Sequence, residues 1–118
     1  MADQPKEEML EGTVIIELDD LKNPTKATIK PAIVKATRGK YLNFIYKGTG
    51  KVTILFPVDW FEGNVQARTF GGATTETDVK VRGDATGEKD LEVPYQVYCE
   101  VINDYGQAAS PPKMKLDP

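Results

Sequence analysis

One cysteine, one serine and no histidine make a short inventory of side chains that do chemistry. Cys99 stands in "YQVYCEVINDYG", residues 95–106, where an apolar alternation gives way to a polar, turn-forming run. A thiol there can act as a metal ligand or a nucleophile only if a nearby cation or helix N-terminus lowers its pKa, and its chain neighbours, Tyr98 and Glu100, supply neither. The alternation places Val97, Cys99 and Val101 on one face, opposite Tyr98, Glu100 and Ile102, and the first face is the expected core side. Cys99 is therefore predicted to be buried and slow to react, as free cysteine commonly is.

The missing histidine removes the usual base of a hydrolase triad, and the single serine, Ser110, lies in "AASPP" with no GxSxG stretch anywhere. Carboxylates occur in small groups, Asp59 with Glu62 and Asp84 with Glu88 and Asp90, which in principle suit acid–base work or a hard cation. "GDATGEKD" does not place ligands at alternate positions around a central glycine with a closing glutamate, so it is not a calcium loop, and these charges read as solvated turns. "FGGATT" lacks the lysine and the following helix of a phosphate cradle. No catalytic residue, metal ligand or cofactor is predicted, and the chain is not expected to be an enzyme.

The loop "FPVDWFEGN", residues 56–64, carries three aromatics, a proline and two carboxylates. Trp60 and Phe61 either cap one end of the core or form an exposed anchor, since such rings are enriched in binding hot spots. On the second reading they join Tyr105 at one pole, rimmed by Asp59, Glu62 and Asp104, as an interaction surface that favours a basic partner.

The elements that must position these residues are short. A chain of 118 residues supports one core, and its 40% apolar and 28% charged fractions are those of an ordinary globular domain. The net charge of −3, with lysines scattered through the chain, argues against nucleic acid as a partner. No apolar run approaches a bilayer span, so membrane insertion is not expected. "MADQPKEEML" has no apolar central segment, which suggests a cytoplasmic protein if the chain is native as written, or a periplasmic or secreted one if a signal peptide was removed. Residues 1–11 are expected to be a flexible lead-in and residues 12–118 a single domain.

Period-two patterning recurs along that domain. "TVIIEL" is β-branched and stops at "DDLKNPT". In "KATIKPAIVKAT", Ala27, Ile29 and Ile33 are expected on one face, and Pro31 marks a sheet edge or a change of sheet because it removes a ladder donor. Leu42, Phe44 and Tyr46 alternate in "KYLNFIY", and "KVTILFPV" follows a "KGTG" turn. From Asp59 to Thr77 the pattern dissolves into what reads as a long loop, holding at most a short helix. "DVKVRG", "YQVYCEVI" and "KMKL" complete about seven strands, the signature of an all-β Greek-key sandwich.

"ATIKPAIVKATRGKYLNFIYKGTGKVTILF" and "GEKDLEVPYQVYCEVINDYGQAASPPKMKL" resemble the two halves of a cupredoxin, the superfamily of plastocyanin and azurin. That resemblance implies a type 1 copper site of two histidines, a cysteine and an axial ligand. Carried onto this chain, the cysteine is Cys99, the first histidine falls at or beside Val52, with Thr53 next, and the second within Ile102, Asn103 and Asp104. The axial ligand falls near Gln107. Both imidazoles are absent, and a thiolate without them does not hold copper in the blue-copper geometry. The sequence thus predicts a cupredoxin-like fold without type 1 copper, serving as a binding module for a protein or small ligand. The alternative is an atypical metal-handling or redox protein built on Cys99.

Overall fold

The computed structural model describes residues 10–57, 59–72, 75–85, 87, 91–108 and 112–117. Residues 1–9 of the expected lead-in lie outside that set, as do Glu88, Asp90 and Ser110. The first sheet contains β1 (Leu10–Leu18), β2 (Ala27–Lys30), β4 (Tyr41–Lys47) and β7 (Glu76–Lys80), in the order β2-β1-β4-β7. Strand β1 begins before Gly12, pairs antiparallel with β2 and runs parallel to β4. Its β-branched "TVIIEL" segment puts Val14 and Ile16 wholly inside the core, facing inward with Phe44 and Leu42 of β4.

The opposing layer is built from two hydrogen-bonded blocks. One holds β5 (Lys51–Leu55), β6 (Ala67–Gly71), β9 (Gln96–Cys99) and β10 (Asp104–Tyr105), in the order β10-β9-β5-β6. The other is β3 (Ile33–Thr37), β11 (Lys113–Asp117) and β8 (Glu92–Pro94), in the order β3-β11-β8. The chain passes directly from one block to the other, because β8 and β9 are separated only by Tyr95, whose N–H donates to the Pro112 carbonyl at 3.1 Å. Inward-facing residues of both layers form one core, so the molecule is an all-β sandwich.

Pro31 is where the chain changes sheet: β2 belongs to the first layer and β3 pairs in parallel with β11 in the second. The change also reverses which parity faces inward. Ala27 and Ile29 are buried, but beyond the proline it is Val34 and Ala36 that enter the core, while Ile33 is 43% exposed. The expectation that Ile33 shares the buried face of Ala27 and Ile29 is thereby corrected, since a strand that crosses from one layer to the other must present its opposite side to the same interior.

Three strands escape the sequence pattern. β6 lies inside the expected 59–77 loop, β8 in the turn-rich "DATGEKDLEVP" stretch and β10 in the polar loop after Cys99. β6 buries a single residue, Phe70, and exists because all five of its positions pair with β5.

Candidate functional site

Cys99 is the last residue of β9 and is fully buried. In register it lies opposite Val52 of β5 on one side and Asp104 of β10 on the other. The position to which the resemblance carries the first histidine is therefore beside the thiol, and it is occupied by a fully buried valine. Past Cys99 the strand breaks into a 3-10 turn, Glu100–Ile102, closed by Asn103 in the left-handed conformation, whose N–H donates to the Glu100 carbonyl at 3.1 Å. A three-residue turn rotates Ile102 toward the core and leaves Val101 41% exposed. Val101 does not share the buried face of Val97 and Cys99, because strand alternation ends at Cys99.

The remaining carried-over positions point elsewhere. Asn103 and Asp104 are exposed, with the Asn103 side-chain oxygen accepting a hydrogen bond from the Tyr98 hydroxyl. Gln107 is committed to the opposite layer: its carbonyl accepts from Ile29 N–H at 2.7 Å and its N–H donates to the Ala27 carbonyl at 2.9 Å. A thiol walled by valine, with two exposed polar side chains and no imidazole, is not the nitrogen–sulfur donor set of a type 1 copper centre, and type 1 copper does not fit it.

Burial, with a smaller contribution from the Asp104 carboxylate, pushes the Cys99 thiol up to about 11. Tyr46 of the first sheet is raised to about 12, chiefly by burial and secondarily by its proximity to Cys99, and its hydroxyl donates to the Thr49 carbonyl at 2.5 Å. The thiol is protonated at neutral pH, so native-state labelling with a thiol reagent should proceed only at the rate of local opening. Rapid stoichiometric labelling would contradict the buried site. Because the folded thiol holds its proton more tightly than the unfolded one, this contribution to stability is fully present below about pH 8.5 and is lost as the pH rises toward 11. Denaturation midpoints at pH 8 and pH 10 should therefore differ less in Cys99→Ala than in the parent chain.

The second candidate, the loop after β5, is not an exposed platform of rings. Phe61 is fully buried and Trp60 is 4% exposed, so both fill the end of the sandwich, and the alternative of a solvent-facing anchor is corrected accordingly. Asp59, at a φ of 68°, turns the chain back over the core. The Trp60 carbonyl then accepts from Arg82 N–H at 2.8 Å, and Phe61 forms an antiparallel bridge with Val81. Phe61 packs 4.8 Å from Phe56, which meets Phe44 edge-on at 5.7 Å, so the segment is held by aromatic contacts spanning both layers. Asp59 and Glu62 do stay exposed, but beside cations: Glu62 lies 3.8 Å from Lys80, and both carboxylates act on Arg82, which also forms a bidentate pair with Asp84 at 2.9 Å.

Tyr105 is exposed, as an interaction residue requires, but not at the same pole. It pairs with Tyr98, on the side of β5 where Val52 meets Cys99, whereas residues 59–62 follow the Leu55 end of that strand. The Tyr98 and Tyr105 rings meet edge-to-face at 5.3 Å. Glu100 and Asp104 are exposed in the same turn. Sequence reasoning missed the part played by Tyr98, although β9 alternation already placed it on the outward face.

No family model matches the chain, and no curated protein is similar to it in sequence. Among solved structures it is similar to oxidized plastocyanin from Dryopteris crassirhizoma, at 15% identity and a TM-score of 0.47, over 87% of this chain and 99% of that one. A mutant fern plastocyanin, solved oxidized and reduced, is similar at 14% identity and a TM-score of 0.45, over the same shares.

Proposed function

We propose that the protein is a non-catalytic interaction module without type 1 copper, and that it meets a basic protein surface through the turn bearing Tyr98 and Tyr105. The observation that carries this reading is the divergence of the chain at Cys99: β9 buries the thiol against Val52, and the next residues turn Tyr105, Glu100 and Asp104 toward solvent beside the half-buried Tyr98. Among the described residues no three His, Cys, Asp or Glu side chains converge as a metal set. None of the helices they form is long and apolar enough to cross a membrane. Edge-to-face tyrosines offer rigid apolar area, and a carboxylate rim favours cationic partners.

One equivalent of Cu(II) should leave the visible spectrum without an intense thiolate-to-copper band, whose appearance would refute the copper-free reading. Titration of isotope-labelled protein with a lysine-rich peptide should shift amide resonances first at residues 98–105. Tyr105→Ala should weaken that association about ten-fold with the fold unchanged. Shifts spread evenly over the acidic surface would remove this turn from consideration.

A further inference from the structure

A concavity of about 310 Å³ opens along the outer edge of β2. Its origin lies in how that edge is finished. Gln107 supplies one bridging position beside β2, and Pro31 then diverts the chain into the other layer, so no full strand covers the edge. Ala27 and Ile29 border it with their side chains turned into the core, so the apolar side chains it offers are the small ones of Ala32 and Ala108. Around this apolar floor stand Lys26, Thr28, Lys30 and the Gln107 side chain.

Lys26 and Lys30 are exposed, and no carboxylate among the described residues lies within ion-pair distance of either ammonium group, the Asp19 carboxylate meeting Lys26 at its backbone N–H, 3.2 Å away. Lysines on an edge strand ordinarily guard against pairing with another chain. Here Gln107 already pairs with the Ile29 N–H and the Ala27 carbonyl, so that part of the edge is covered without them. In a chain of net charge −3, a depression with an alanine floor and two ammonium groups at its mouth is complementary to one chemical class.

We propose that this pocket binds a small amphiphilic anion, its hydrocarbon part over Ala32 and Ala108 and its anionic head between Lys26 and Lys30. The site is separate from the Tyr98–Tyr105 turn, and neither depends on the other.

Octanoate is the probe, followed by heteronuclear NMR on the intact protein. It should bind saturably at one site, with shifts centred on residues 26–32 and 107–108. Hexanoate should bind about ten-fold more weakly, from the loss of two methylenes. Octanol should bind more weakly than octanoate, and octylammonium least. Replacing both lysines, Lys26→Gln with Lys30→Gln, should weaken octanoate about five-fold or more while leaving octanol unchanged, a split that a structural role for the lysines would not produce. Ala108→Leu, which fills the floor, should weaken octanoate and octanol together. Absence of saturable shifts at these residues, octylammonium binding as tightly as octanoate, or unchanged octanoate affinity in the double glutamine variant would each overturn the proposal.

Discussion

Trp60→Ala should lower the unfolding free energy by about 3–5 kcal/mol, the usual cost of deleting a large buried aromatic. For a domain of this size the thermal midpoint should fall by about 10 °C or more. The substitution removes a ring that is 4% exposed and leaves a void at the end of the sandwich. Arg82 N–H and the Trp60 carbonyl, which fasten the segment to the chain just past β7, remain in place, so the void has little freedom to collapse. Trp60→Phe should recover a large part of the loss, because it restores apolar volume without needing a partner for the indole N–H. Chemical denaturation checks both variants. A Trp60→Ala protein within about 1 kcal/mol of the parent would mean that the ring is not part of the core, and would return this loop to the candidate binding surfaces.

Gly71→Ala should be at least as damaging although it adds one methyl group. Gly71 closes β6 opposite Lys51 with a φ of 142°, and a Cβ there would lie 2.3 Å from the Gly50 carbonyl oxygen and 2.8 Å from the Lys51 Cα. Both obstacles are backbone atoms of the paired strand, so relief requires β5 and β6 to separate at that end, where Gly72 N–H also donates to the Gly50 carbonyl. Backbone strain alone costs on the order of 1–3 kcal/mol, and the lost pairing adds to it, for a total of about 3 kcal/mol or more. Gly83→Ala is the control: no atom lies within 4 Å of its added Cβ, and its stability should change by less than about 1 kcal/mol. Equal midpoints for the two variants would show that β6 is not held at Gly71 as described.

What the sequence made legible is the set of strands whose own side chains alternate. Leu42, Phe44 and Tyr46 enter the core together, and Val97 and Cys99 do the same, because each run has one buried face and a period of two. Pro31 was readable for a different reason, its missing donor. β6 was not legible, because Phe70 is its single buried residue and its partner strand, not its composition, makes it a strand. Ile33 and Val101 misled for a common cause: alternation carries across a boundary only while the backbone keeps the same layer and the same geometry. The chain changes layer at Pro31 and changes geometry at Cys99. For Trp60 and Phe61, residue type alone supports both a core plug and a surface anchor, and the decision rests on Asp59 turning the chain inward, together with the distant partners Val81 and Arg82.

The parallel pairing of β3 with β11 has a consequence for synthesis on the ribosome. Ile33 is opposite Lys113 and Thr37 opposite Asp117, so a newly made β3 must wait for eighty further residues before its partner exists. During that interval Val34 and Ala36 have emerged without Met114 and Leu116, which lie on the neighbouring strand and enter the same core. Loop closure over such a span must precede the contacts that reward it, so this block is expected to assemble late, after locally paired elements such as β5 with β6. A nascent chain halted before residue 113 should thus remain sensitive to protease at β3, and protection should appear only once the β11 segment clears the tunnel.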